Sequence, residues 1–200
     1  MKTRKKNKLH KINKKKRTRK RIFGKKHFTS GDGMITSIWG PSLWHYLHTV
    51  SFNYPIHPTV DDKKHYRNFI LNLKYHLPCK YCRNNLKNNF KKLPLKMRDM
   101  KNRHTFSKYI YNLHELVNRM LVKKSGLTYC DIRERYEHFR SRCTNEKEKE
   151  KEKKKEKKKE KGCVEPMYGK KAKGVIKIIP KDVKCKSITI HSSCLKKTVS

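Results

Sequence analysis

The stretch that decides the fold is WGPSLWHYLHTVSFNYP, residues 39–55. From Ile38 onward its apolar side chains recur at intervals of three and four residues, the period of an α-helix that buries one face. We interpret Gly40 and Pro41 as the helix start, because a proline suits the first turn, where its missing N–H is not needed. The sequence therefore predicts a first helix that ends near Tyr54.

The same period continues along the chain and predicts further helices. The second begins at Thr59 and Asp62, whose spacing is that of a capping box. This second helix is predicted to end near Pro78, and a short third helix to run from the cysteine pair to about Phe90. A long fourth segment is marked by apolar residues from Phe106 to Leu121 and stops around Gly126, and a short fifth runs from Asp131 to Arg140. No convincing strand pattern interrupts residues 34–145. The sequence thus predicts an all-α fold, a four-helix bundle with a short fifth helix.

Charged segments flank this core of residues 34–145. The chain has a formal net charge of +39, and its 34% hydrophobic content suffices for one domain with tails. Residues 1–33 are predicted to be a disordered basic arm, because residues 1–27 hold 15 Lys or Arg and no acidic residue. Residues 146–161 consist only of Glu and Lys and are predicted to form a charged, low-complexity linker. Residues 162–200 form a tail with short β-like alternation, which predicts a hairpin.

The sequence LPCKYC, residues 77–82, holds two cysteines with two residues between them. Pro78 is expected to place Cys79 near a helix N-terminus, where the dipole and the unpaired N–H groups stabilise a thiolate. Lys80 and Arg83 are expected to add positive potential. These features favour a reactive thiol pair, although no βαβ pattern of the thioredoxin type surrounds it.

The residues alone leave two other interpretations open. The first is a zinc site, which would need two further ligands; Cys130 and Cys143 are available, but twelve residues separate them where two to four are typical. The second is a nucleic-acid-binding protein, because the basic arm would bind phosphate polymers non-specifically and with strong salt dependence. The core shows no recognition helix and no aromatic platform for RNA.

Four stretches, in this order, resemble the Erv/ALR family of FAD-linked sulfhydryl oxidases. They are WGPSLWHYLHTVSFNYP (39–55), LPCKYC (77–82), NLHELVNRML (112–121) and CDIRERYEHFRSRC (130–143). The resemblance implies a homodimeric helical bundle with FAD bound at its mouth. It also implies oxidation of protein thiols, among them those of a thioredoxin-like carrier, with oxygen as the acceptor and hydrogen peroxide as a product.

The resemblance carries roles over to individual residues of this chain. Cys79 is the outer cysteine that substrate thiols attack, and Cys82 is the inner cysteine that passes electrons to the flavin. Cys130 and Cys143 match the structural disulfide of the family. The positions that match FAD contacts are Gly40, Trp44, His48, Tyr54, His114, Val117, Asn118, Leu121, Lys123, Arg135 and Tyr136. No metal is expected.

Two positions depart from the family pattern. Glu115 stands where an Asn is common, and Tyr136 stands where the family usually has a Trp, so an aromatic ring is kept but the indole N–H is lost. Helical period alone would place Trp44 and His48 in an ordinary core. Their combination with a second His-containing helix and a CxxC favours a cofactor site instead.

Three cysteines, Cys163, Cys185 and Cys194, lie in the tail beyond the charged linker. Many members of the family have a shuttle cysteine pair on a flexible arm, so the resemblance makes Cys185 and Cys194 candidates for that role. The alternative is a local disulfide between them that closes a hairpin, since connectivity does not follow from sequence.

The compartment is predicted from weaker signals. The chain shows no secretory signal and no run that approaches the roughly 18 apolar residues of a membrane span. Its richness in Lys, Asn and Ile suits an AT-rich genome, and the family includes proteins of large DNA viruses. We therefore expect the host cytoplasm or the virion, with the mitochondrial intermembrane space as the alternative.

Overall fold

The computed structural model describes residues 22–142 and 162–197. Residues 22–32 fall in one compact unit, in which Lys25–Phe28 forms a single helical turn, α1, where the sequence predicted only disorder. The second unit begins at Gly33 and contains the core. The rest of the predicted basic arm and the charged linker, residues 146–161, lie outside the described residues.

The predicted all-α core is confirmed. Its helices are α2 (Thr36–Phe52), α3 (Val60–His76), α4 (Lys80–Lys92), α5 (Arg103–Met120) and α6 (Tyr129–Glu137). Short 3₁₀ turns cover Met97–Met100 and Ser192–Cys194. In the described part of the chain, no helix combines the length and the apolar character needed to cross a bilayer.

The start of α2 differs from the prediction. The helix begins at Thr36, so Pro41 lies inside it and removes one backbone hydrogen bond. Proline also crowds the Cβ of the residue before it, and Gly40 has none. The helix therefore passes through Gly40 and Pro41. The segment just before its start is fixed by Trp39, whose Nε1 donates to the Met34 carbonyl at 3.1 Å.

Two helices begin at the same type of cap. Thr59 Oγ1 accepts from the Asp62 N–H at 3.1 Å, and Asp62 Oδ2 accepts from the Thr59 N–H at 2.9 Å, so the predicted capping box is confirmed. Thr128 and Asp131 repeat this arrangement before α6. The same Thr-x-x-Asp spacing would have located the start of α6 at Tyr129 rather than at Asp131.

The end of α5 comes before the predicted stop at Gly126. The Lys123 N–H donates to the Asn118 carbonyl at 2.8 Å and the Val122 N–H to the Arg119 carbonyl at 3.1 Å, which is the Schellman pattern of a helix C-terminus. Val122 takes the left-handed position with φ 54°. A β-branched residue there costs roughly 1–2 kcal/mol, which the surrounding structure must offset.

The main core lies between α2, α3, α4 and α5. Its fully buried side chains include Ile70, Met100, Phe106 and Ile110, and burial of each stabilises the fold by about 1.5–3 kcal/mol. Helix α6 packs against α2 and α5 through a second cluster built on Phe52, Ile132 and Tyr136. The polypeptide thus forms a bundle with a short helix across one end of α2 and α5.

The predicted hairpin in the tail is not formed within residues 162–197. Their one strand, β2 (Glu165–Pro166), pairs antiparallel with β1 (Ser141–Arg142), which follows α6. The alternating apolar residues of the tail stay exposed, as with Ile176 at 75%. A hairpin needs an apolar face to cover, and the tail lies against the end of α6 by backbone bonds instead.

Candidate active site

Cys79 is the N-cap residue of α4, as predicted. Its Sγ accepts from the Cys82 N–H at 3.2 Å. Both cysteines are partly exposed free thiols. The turn formed by LPCKYC therefore places two sulfur atoms together at a helix N-terminus, with one of them satisfying a backbone donor of the first turn.

The two thiols have different acidities. The hydrogen bond from Cys82 lowers the pKa of Cys79. Burial raises the pKa of Cys82, and its hydrogen bond to Cys79 raises it further. In the reduced pair the negative charge consequently resides on Cys79, with Cys82 as its hydrogen-bond donor.

Two side chains near the thiol pair make contacts that the sequence did not predict. Arg83, which is expected to supply positive potential, also donates from its guanidinium to the Leu77 carbonyl and so fixes the loop before the cysteines. Thr36, a residue that sequence reasoning missed, contacts the pair: its Oγ1 lies 3.7 Å from Cys82 Sγ. Because 46 residues separate Thr36 from Cys82, no local pattern could have indicated this contact.

A histidine pair joins α2 to α5. His48 is 3% exposed, and its Nε2 lies 3.0 Å from His114 Nδ1. Burial lowers the pKa of His48 to about 3 and that of His114 to about 4. Both imidazoles are therefore neutral near pH 7, and one nitrogen donates to the other. His48 Nδ1 is buried without a hydrogen-bond partner among the described residues.

Aromatic rings enclose this pair. The Trp44 ring stacks on His114 with centroids 4.0 Å apart and an interplanar angle of 6°. The Tyr136 ring lies 5.4 Å from the His48 ring, centroid to centroid, and its hydroxyl is hydrogen-bonded to His45 Nδ1 at 3.1 Å. These contacts bring α2, α5 and α6 together at one place, which contains Trp44, His48, His114 and Tyr136 of the expected cofactor residues.

Two cations influence the histidine pair. After burial and the neighbouring histidines, the charge of Arg135 lowers the pKa of His48. At His114, where burial is again the main cause, the charge of Glu115 raises the pKa and the smaller effect of Lys123 lowers it. A planar aromatic surface, neutral ring nitrogens and nearby cations are the chemistry that a flavin ring and a pyrophosphate require, so these residues fit FAD.

The other expected cofactor residues differ in their placement. Tyr54 is fully buried in the main core, and its hydroxyl donates to the Met100 carbonyl at 3.0 Å, so the structure does not bring it to the histidine pair. Asn118 Nδ2 donates to Glu115 Oε1 at 2.9 Å, which engages one of its N–H groups. The remaining expected residues, Gly40, Val117 and Leu121, are half-buried or exposed.

The structure does not form the expected disulfide between Cys130 and Cys143. Cys130 is an exposed free thiol in the first turn of α6, and Cys143 lies outside the described residues. Helix α6 is attached to the bundle by apolar contacts and by a hydrogen bond of 2.8 Å between the Tyr129 and Ser107 hydroxyls. Cys163 is disulfide-bonded.

The chain matches a known protein family and several proteins of that family. The model of the Erv1/Alr family matches residues 41–140. The chain is 36% identical over 99 residues, 50% of this chain and 68% of that protein, to the "Probable FAD-linked sulfhydryl oxidase R368" of Acanthamoeba polyphaga mimivirus. It is 29% identical over 99 residues, 50% of this chain and 80% of that protein, to the FAD-linked sulfhydryl oxidase of African swine fever virus, isolate Pig/Kenya/KEN-50/1950.

The chain is also similar to the crystal structure of the yeast Erv1 core. It aligns with 63% of this chain and 95% of that chain, at 20% sequence identity and a TM-score of 0.47.

Proposed function

The chain belongs to the Erv1/Alr family, and on that premise we propose that it is an FAD-linked sulfhydryl oxidase whose working disulfide joins Cys79 and Cys82. The observation that carries this assignment is the thiol pair at the start of α4, with its acidic outer cysteine and less acidic inner one. Membership in this family of sulfhydryl oxidases does not favour the alternatives, which are a zinc site and a protein that primarily binds nucleic acid.

The reaction begins with a substrate dithiol. One substrate thiolate attacks Cys79 Sγ of the disulfide, the S–S bond breaks, and Cys82 leaves with the electron pair. The second substrate thiol loses its proton and attacks the substrate sulfur of the mixed disulfide, which expels Cys79 as a thiolate. The low pKa of Cys79 makes it a good leaving group in this second step. The substrate leaves as a disulfide, and the cysteine pair is reduced.

The residues of the histidine pair and its surroundings would hold the cofactor. Trp44 offers an aromatic face, His48 and His114 offer neutral ring nitrogens, and Lys123 and Arg135 offer charge to a pyrophosphate. FAD bound there would supply the two-electron acceptor between the reduced cysteines and oxygen, with hydrogen peroxide as the product. Burial keeps both imidazoles uncharged, so they orient the ring by hydrogen bonding and shape.

Serine substitution at each cysteine of the pair tests the assignment. We expect Cys79→Ser and Cys82→Ser to abolish oxygen consumption with a dithiol substrate and to keep the flavin absorbance, because neither sulfur belongs to the histidine pair. Cys130→Ser is the matched control, since Cys130 is a free thiol on the surface of α6. Near wild-type turnover in Cys82→Ser would refute the redox assignment.

We also propose that the protein is a homodimer. Tyr46 of α2 and Phe69 of α3 are exposed and contact each other edge to face at 6.2 Å, which leaves an apolar pair at the surface. A second copy would cover it. Sedimentation of wild type and of Tyr46→Arg would show a dimer and a monomer respectively, whereas a monomeric wild type would refute the proposal.

Substrates and compartment are proposals of the same kind. Protein dithiols, including those of a thioredoxin-like carrier, suit the exposed Tyr81 and Lys80 between the two cysteines. Relatives from mimivirus and African swine fever virus support the host cytoplasm or the virion as the location. Fractionation of cells that produce the protein would distinguish these from the mitochondrial intermembrane space. The basic arm remains a candidate for non-specific contact with nucleic acid.

A further inference from the structure

Thr36 contacts the reacting sulfur of the inner cysteine. It is the first residue of α2, and its Oγ1 lies 3.7 Å from Cys82 Sγ. The family resemblance gives this position no role. A hydroxyl at this distance from a sulfur atom is within reach of an O–H···S hydrogen bond once the sulfur carries charge.

The contact is held by the backbone around it. The Met34 N–H donates to the Pro78 carbonyl at 3.1 Å, which attaches the segment before α2 to the loop before Cys79. A Cβ at Gly33 would lie 3.0 Å from the Pro78 carbonyl oxygen, so the glycine permits this close approach. The Trp39 indole bonds to the Met34 carbonyl and fixes the same segment to α2. The position of Thr36 beside the cysteines is therefore fixed by the bond from Met34 to the loop before Cys79 and by the bond from Trp39 to Met34.

The surroundings of Cys82 disfavour its thiolate, and the Thr36 hydroxyl opposes this effect. Burial raises the pKa of Cys82, and the hydrogen bond from Thr36 opposes this by lowering it. In the proposed reaction Cys82 is the group that leaves as a thiolate when Cys79 is attacked. Charge on a partly buried leaving thiolate is costly unless a donor faces it.

We propose that Thr36 is a catalytic residue whose hydroxyl donates to Cys82 Sγ as the Cys79–Cys82 bond breaks. This inference rests on the proposed function. The substrate sulfur forms a bond to Cys79 Sγ, the electron pair of the broken bond stays on Cys82 Sγ, and the Thr36 proton remains on its oxygen throughout. The hydroxyl stabilises the charge that forms on Cys82 as the bond breaks, and so speeds the opening of the disulfide by substrate thiols.

Two substitutions at Thr36 separate hydrogen bonding from packing. Thr36→Val keeps the shape and removes the donor, whereas Thr36→Ser keeps the donor. The neighbouring Ser37→Ala is the control for loss of a hydroxyl in the same turn. All are made in the full chain with bound flavin, and flavin content and thermal midpoint are recorded to verify the fold.

Two readouts are measured on these proteins. The first is the rate at which an excess of dithiothreitol reduces the pair without oxygen, and the second is the pH dependence of Cys82 alkylation by iodoacetamide, read at the Cys82 peptide by mass spectrometry. In Thr36→Val we expect reduction to slow by about 3- to 10-fold, the range that one lost hydrogen bond gives, and the alkylation midpoint to move to higher pH. Thr36→Ser should retain both properties.

The outcomes separate this inference from the proposed function. If wild type oxidises dithiols but Thr36→Val keeps its reduction rate and alkylation profile, the role of Thr36 is refuted and the oxidase assignment stands. The role is also refuted if Thr36→Ser loses as much as Thr36→Val, since packing then explains the effect. If wild type does not oxidise dithiols while Thr36→Val still shifts the alkylation midpoint, the oxidase assignment is refuted, and the hydrogen bond to Cys82 is supported.

Discussion

The helical bundle and the tail, residues 162–197, hold their cysteines in different ways. In the bundle, Cys79 and Cys82 contact each other, and the sulfur of Cys82 also faces Thr36. In the tail, Cys185 is an exposed free thiol, and Cys194 is a partly exposed free thiol. The expected alternative, a disulfide between Cys185 and Cys194, is not formed in this structure.

The difference follows from burial. Apolar side chains fix the bundle, whereas the contacts described between the tail and the end of α6 are the β1–β2 pairing and single hydrogen bonds, such as the one from the Lys196 N–H to His138 Nδ1 at 3.1 Å. Cys163 of the tail is also disulfide-bonded. Near Cys194 the chain approaches closely at Gly169, where φ is +69° and a Cβ would lie 2.6 Å from the Cys194 carbonyl carbon. Fixed geometry, and with it a tuned thiol, requires the apolar contacts that the tail lacks.

The largest expected effect concerns the site built into the bundle. His114→Ala combined with Asn118→Ala should lose FAD and lower the thermal midpoint, because a ligand that binds only the folded state stabilises it by about 2.7 kcal/mol at one hundred times its Kd. Flavin absorbance after gel filtration and thermal unfolding measure this. Cys185→Ser in the tail is the control and should keep its flavin. Full flavin occupancy in the double variant would show that the cofactor lies elsewhere.

A pH dependence should also distinguish the bundle. Folding lowers the pKa of His48 from 6.5 to about 3, so below pH 6.5 the unfolded chain takes up a proton that the folded chain refuses. The contribution of the neutral His48 to the free energy of unfolding is thus complete above that pH, and it is lost as the pH decreases toward the folded pKa. At about pH 5 the loss from His48 is about 2 kcal/mol.

Urea unfolding of wild type and His48→Gln at about pH 7 and pH 5 would measure that loss, at equal flavin occupancy. The glutamine keeps hydrogen-bonding atoms and removes the titration. The difference in unfolding free energy between the two pH values should be smaller in His48→Gln. Identical differences in both proteins would mean that His48 accepts a proton in the folded state.

The smallest expected effect concerns the tail. If Cys185 and Cys194 form a shuttle, their replacement by serine should leave oxidation of small dithiols unchanged and slow oxidation of a folded protein substrate, because only the latter needs a relay to Cys79. Truncation after Asn145 tests the same idea but also removes β2 and Cys163. The double serine variant is therefore the cleaner measurement. Equal rates for wild type and variant with both substrates would reject the shuttle.

Sequence reasoning succeeded where the decisive interactions are local. Apolar period gave α2 to α6, the Thr59 and Asp62 spacing gave the start of α3, and Pro78 gave the N-cap position of Cys79. It failed at the start of α2, which lies before Pro41, and at the end of α5, which lies before Gly126. At the end of α5 the backbone hydrogen bonds of Val122 and Lys123 close the helix. Helix termini depend on a few hydrogen bonds, which compete with propensities of similar size.

The sequence by itself determined the bundle and the reactive pair, since helical period and a helix N-terminus act over a few residues. Only the tertiary structure decided which side chains meet. It buried Tyr54 in the core, left Cys130 exposed, and set Thr36 beside Cys82 across 46 residues of chain. The physical reason is that such contacts depend on how whole helices pack against one another, and packing is settled by the summed burial of all apolar faces.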